Sequence, residues 1–110
     1  MTSARAARVA LKAKLFRGLS DPSRLAVLES LRQGPRCVSE VVAATGLSQP
    51  SASSHLACLR DCGLVAREPV GRYAYYRIAR PEVEAILDAS VALLSEVAGL
   101  VDECTNYSEG

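Results

Sequence analysis

The chain has 110 residues, 49% of them apolar, and a formal net charge of +1. That length suits one domain spanning residues 1–110, and no stretch approaches the roughly 18 apolar residues needed to span a bilayer, so a cytoplasmic protein without a membrane partner is expected. The near-neutral total hides an asymmetry: residues 1–36 hold eight Lys/Arg against two acids, while residues 81–110 hold seven acids and no Lys/Arg, which suits a front that meets a polyanion and a tail that does not.

Residues 5–17 carry Val9, Ala13 and Phe16 near helical spacing, and Leu19-Ser20-Asp21-Pro22 breaks that run. Ser20 or Asp21 suits the cap of a second helix, with Pro22 at its first position, where the missing N–H costs nothing. Leu25, Leu28 and Leu31 give this helix an apolar face, and Gly34-Pro35 is its expected stop. A short third helix is expected from near Ser39 to Gly46, where a left-handed residue sharpens the turn. Ser48 then caps a fourth helix from Gln49 to about Cys62, and Gly63 ends it.

After Gly63 the pattern changes. Leu64–Glu68 and Tyr73–Ile78 read as two strands around Pro69-Val70-Gly71-Arg72, a β-hairpin with a glycine in its loop. Pro81 opens a last helix, with Glu82 and Glu84 in the first turn, where acids suit the helix dipole. Val83, Ile86, Leu87, Ser90, Leu94, Val97 and Val101 fall near three-and-four spacing along it. The expected fold is mainly α with one small hairpin: a winged helix-turn-helix. Its core is modest, and pairing two copies would cover more apolar surface.

The third and fourth helices, joined by Thr45-Gly46-Leu47-Ser48, have the outline of a helix-turn-helix. In such a motif the second helix enters the major groove of DNA, N-terminal end first. That end reads Ser48-Gln49-Pro50-Ser51-Ala52-Ser53-Ser54-His55. Ala52, Leu56 and Leu59 share the face expected to anchor the helix. Ser48, Gln49, Ser51, Ser53, Ser54, His55 and Arg60 are the candidate DNA contacts. Arg72 and Tyr73, at the hairpin loop, are placed to reach phosphates or a minor groove. His55 suits either DNA contact or packing better than metal ligation. The sequence offers no phosphate loop, carboxylate pair or nucleophile triad that would argue for an enzyme.

Four cysteines in a short chain of this kind point to metal or redox chemistry rather than structural disulfides. Cys58 and Cys62 stand four apart on the fourth helix, so they share a face about 6 Å apart along the axis. Two thiolates so placed reach one metal ion through bonds of ~2.3–2.6 Å. They are badly placed for a disulfide, whose Cβ atoms lie only about 3.5–4.5 Å apart. Cys104, in Val101-Asp102-Glu103-Cys104-Thr105-Asn106-Tyr107, offers a third thiolate on a short polar tail expected to be mobile until something orders it. Three soft sulfurs favour thiophilic ions. Cys37 stands alone and reads as a small buried hydrophobe.

Several of these segments, in order, resemble the ArsR/SmtB metal-sensing repressors. They are Leu19-Ser20-Asp21-Pro22-Ser23-Arg24-Leu25-Ala26-Val27-Leu28, the run from Leu47 to Arg60, Cys62-Gly63-Leu64-Val65, and Gly71-Arg72-Tyr73-Ala74-Tyr75-Tyr76-Arg77. The resemblance covers about residues 8–103. It implies a homodimer formed through the first and last helices, each protomer reading half of an inverted-repeat operator in double-stranded DNA. His55–Val65, with Cys58 and Cys62, looks like the cadmium- and lead-sensing CmtR branch. That likeness implies two cysteines of the recognition helix and the partner's tail cysteine as ligands, with Cd(II) or Pb(II) as inducer and no organic cofactor. As(III) and Hg(II) stay open. The Asp and His pairs of the zinc and nickel branches are missing, because Ser90 stands where the last helix would need a histidine. A repressor of this fold that senses thiol oxidation, and a DNA binder without effector, are the alternatives.

Overall fold

The computed structural model describes residues 3–105. They fall into two compact units, one ending at Ala79 and one beginning at Arg80. The first holds α1 (Ala4–Leu19), α2 (Pro22–Ser30), α3 (Val38–Thr45), α4 (Gln49–Asp61), β1 (Val65–Val70) and β2 (Tyr73–Ile78); the second holds α5 (Pro81–Glu103).

Helix borders follow local chemistry. Ser3 caps α1 by accepting the N–H of Ala6 at 3.1 Å. Asp21, not Ser20, caps α2: its Oδ2 accepts the N–H of Arg24 at 2.8 Å. Ser20 closes α1 instead, donating its hydroxyl to the carbonyl of Arg17. The helical part of α2 ends at Ser30, earlier than Gly34-Pro35 suggests, and the chain continues through turns in which Arg32 N–H bonds Glu29 and Gly34 N–H bonds Leu31. Gly46, at φ 77°, ends α3 in the left-handed region, where a Cβ is costly. The end of α4 is a Schellman arrangement, with Gly63 N–H on Arg60 and Leu64 N–H on the carbonyl of Leu59.

The core of the first unit is built by α2, α3, α4 and the hairpin. Val27, Leu28, Val41, Ala52 and Leu56 are fully buried, with Leu31, Leu59, Val65 and Tyr76 nearly so. The expected anchoring face of α4 is therefore the buried one. On α1, by contrast, no residue is buried, and Val9 and Phe16 face solvent. The hairpin pairs Val65 with Ile78 through to Val70 with Tyr73. Pro69 and Val70 thus belong to β1 rather than to the loop, and the turn is only Gly71-Arg72. Pro69 is tolerated because both strands of a two-stranded sheet are edges.

One further connection fixes the hairpin. Arg36, between α2 and α3, forms an antiparallel bridge to Tyr76, donating to its carbonyl at 3.0 Å and accepting its N–H at 2.8 Å. The Arg36 side chain reaches back, Nε to the carbonyl of Ser30 at 2.6 Å. In the second unit, Pro81 starts α5 and Val83 and Leu87 are buried, whereas Val91, Leu93, Leu94, Leu100 and Val101 are exposed. Among the described residues no helix is long and apolar enough to cross a membrane.

Candidate nucleic-acid and metal-binding faces of helix α4

Helix α4 presents different chemistry on different faces. Its buried face holds it to the core through Ala52, Leu56 and Leu59. Gln49, Ser53, Ser54 and Arg60 are exposed, and Ser51 is half-buried. Ser48 is also exposed, but its hydroxyl accepts the N–H of Ser51 at 3.2 Å, so it serves as the helix cap. The Arg60 guanidinium lies 3.9 Å from the Asp61 carboxylate, at a separation that leaves the arginine largely free for another anion. At the hairpin tip Arg72 and Tyr73 are exposed, and Gly71, at φ 61°, supplies the turn.

His55 is placed differently from its neighbours. Its side chain is 20% exposed, and Nε2 lies 3.9 Å from Oδ2 of Asp21, the cap of α2. The imidazole therefore bridges two helices. This contact and its half-buried position set His55 apart from the exposed Ser53 and Ser54.

Cys58 is half-buried and Cys62, the C-cap of α4, is exposed. Both line an open groove of about 580 Å³ between α1 and α4. Its apolar lining comes from Leu11 and Leu15 of α1, with Leu59 and Leu64; Arg8, Lys12, Lys14 and Arg24 complete it. The sequence reading missed this contribution of α1. The signal was present in the four-residue spacing of Leu11 and Leu15, which matches that of the cysteines, but Val9, Ala13 and Phe16 drew attention to another face.

Cys37 is 8% exposed and caps α3. Its Sγ lies 3.2 Å from the Ser39 hydroxyl, and its N–H donates to Glu40 Oε1 at 3.0 Å. That bond lowers the pKa of Glu40, with further help from the Cys37 side chain and the Arg36 charge. Cys104 is half-buried and follows α5 directly, its N–H on the carbonyl of Val101. The rest of the tail from Asn106 onward, including Tyr107, lies outside the described residues. Ser90 donates its hydroxyl to the carbonyl of Leu87.

Cys58 and Cys62 offer two soft donors, one helical turn apart and on one groove wall, a set that fits part of the coordination sphere of a thiophilic ion. Among the described residues no group of three or more His, Cys, Asp or Glu gathers at one point.

Three packed helices, the last with an exposed polar N-terminal face, followed by a two-stranded hairpin, make the first unit a winged helix-turn-helix. Residues 21–67 match the family described as bacterial regulatory protein, arsR family. The chain is 38% identical over 93 residues to a probable mercury resistance operon repressor of Streptomyces lividans, covering 84% of this chain and 74% of that protein. It is 35% identical over 85 residues to the transcriptional regulator CmtR of Mycobacterium tuberculosis, covering 77% and 72%. A solution structure of a homodimeric winged helix-turn-helix DNA-binding domain from Mycobacterium bovis, a possible ArsR-family regulator, superimposes with a TM-score of 0.70 at 34% identity, covering 89% of this chain and 90% of that one. The chain belongs to the ArsR/SmtB family of metal-responsive transcriptional repressors.

Proposed function

We propose that this repressor acts as a homodimer that binds an inverted-repeat operator without metal and releases it on capturing Cd(II) or Pb(II), with As(III) and Hg(II) as further inducers. The observation that carries this reading is the position of Cys58 and Cys62 on the helix that also presents Ser53, Ser54 and Arg60. A ligand gripped by the thiols acts on the DNA-reading element itself, and no long transmission path is needed. Cys104, from the partner's tail, is the third ligand in this proposal. The coupling is reciprocal: DNA weakens metal binding by the factor by which metal weakens DNA binding, typically about 1–3 kcal/mol.

Dimerisation is supported by the apolar residues that α1 and α5 leave exposed, among them Val9 and Phe16 on one and Leu93 and Leu100 on the other. Such surfaces on a small chain ask for a partner. The polar face of α4 would meet base edges while Arg72 and Tyr73 meet the backbone or minor groove. One domain with dimerising end helices then does the whole task, as a cytoplasmic protein without catalytic activity. The similarity to a mercury resistance repressor keeps Hg(II) among the inducers.

The test is an ultraviolet titration of the reduced protein with Cd(II), following the sulfur-to-metal charge-transfer band, repeated on Cys58→Ser, Cys62→Ser and Cys104→Ser. A band saturating at one ion per protomer and weakened by each substitution supports the three-thiolate reading. A band indifferent to these residues, or none, overturns it and moves thiol oxidation forward as the signal.

A further inference from the structure

Helix α1 has no buried residue, so packing alone holds its direction loosely and its joint with α2 carries more of the task. The last carbonyls of a helix lack partners within it. At the end of α1 the Ser20 hydroxyl serves the carbonyl of Arg17, and the Arg24 guanidinium donates Nη1 to the carbonyl of Gly18 at 2.8 Å. A cation there also suits the negative end of the helix dipole. Arg24 is half-buried, with its Nε enclosed and without a partner, so the guanidinium is held at this joint. The N–H of the same residue goes to Oδ2 of Asp21 at 2.8 Å, the oxygen that faces His55 of α4. One residue thus gives its side chain to α1 and its backbone to the cap on which α4 leans.

We propose that Arg24 is a positioning residue: by tying the end of α1 to the start of α2 it fixes the angle between the pairing helix and the reading helix, and so the half-site separation that the dimer accepts. This rests on the reading above that two copies pair through α1 and α5 on an inverted repeat. The geometry of DNA makes that angle matter. One extra base pair carries the second half-site about 3.4 Å along the duplex and about 35° around it. A stiff joint resists that shift, and a loose one follows it. Arg24 needs no contact with DNA to do this.

The experiment recovers a duplex from a random-sequence pool with the full wild-type chain. It then compares four duplexes: the half-sites at the recovered spacing, one base pair closer, one base pair further apart, and one half-site alone. Fluorescence anisotropy gives the affinities of the wild type, Arg24→Met, Arg24→Gln and Arg24→Lys, each confirmed as folded by circular dichroism. The wild type should favour the recovered spacing by about tenfold, the order of one mismatched base pair. Arg24→Met removes the donor and Arg24→Gln shortens its reach. Either should cut that preference to below about threefold and leave the affinity for a single half-site within about twofold of wild type. Arg24→Lys keeps a cationic donor and should restore most of the preference. A merely structural role would weaken all four duplexes alike; that result, or a preference unchanged in Arg24→Met and Arg24→Gln, overturns the proposal. A pool that yields no inverted repeat removes the dimer reading and this inference with it. An inverted repeat whose spacing preference survives both substitutions removes this inference alone.

Discussion

Nε2 of His55 lies 3.9 Å from Oδ2 of Asp21, and the same oxygen receives the N–H of Arg24 at 2.8 Å. A residue of α4 thus leans on the cap of α2. If the cap matters more than the longer contact, Asp21→Ala should lower stability by about 0.5–2 kcal/mol, and Asp21→Ser or Asp21→Asn should restore most of it. Urea unfolding of the three variants measures this. Equal losses in all three would assign the effect to the charge facing His55.

Glu40 gives a sign for acid stability. Its carboxylate accepts the Cys37 N–H, and its pKa in the folded chain is below the ordinary 4.5. A lowered folded pKa means the native state favours the ionised form. The stabilisation is complete above 4.5 and is lost as pH falls through the lowered folded value. Glu40→Gln should therefore flatten the acid side of the stability curve and leave the slope near neutrality unchanged. Thermal melts across pH 3–7 read this directly; an unaltered acid limb would deny the bond a role.

Leu56 has no solvent exposure and fixes α4 to the core. Leu56→Ala should cost about 2–5 kcal/mol, the range for emptying a buried leucine site. Denaturant midpoints check the loss. A cost under 1 kcal/mol would mean that the site collapses around the gap.

Arg72 stands exposed at the hairpin tip. If it meets phosphate, Arg72→Ala should weaken binding to operator and unrelated duplex alike, and the slope of log affinity against log salt should shrink by about one for each arginine removed. Fluorescence anisotropy over a salt series provides the measurement. A loss confined to the operator would place Arg72 on a base edge.

Much of this architecture was written in local backbone chemistry. Asp21-Pro22, Gly46, Ser48 and Gly63 mark helix ends because caps and left-handed turns depend on few neighbours. The shared wall of Cys58 and Cys62 followed from their four-residue spacing alone. Features that needed distant partners were harder to read. The apolar spacing noted on α1 runs through Val9, Ala13 and Phe16, whereas the residues of that helix lining the groove beside α4 include Leu11 and Leu15. The meeting of His55 with Asp21 depends on how α2 and α4 cross, which neither helix encodes by itself. The hairpin loop was read as four residues because Pro69 resembles a turn residue, while the Val70–Tyr73 pairing leaves only two.

The bridge between Arg36 and Tyr76 divides the chain into lengths that evolution is free to alter and lengths it is not. Side chains on a strand alternate from face to face, so a one-residue slip of the segment before α3 against β2 would turn the Arg36 side chain away from the Ser30 carbonyl it now reaches, while Tyr76 stays held by its pairing with Arg67. The Gly71-Arg72 tip carries no such obligation and can grow into open solvent. Relatives of this chain should therefore vary in reach at the wing's far end and keep the connection at its root to an unvarying count.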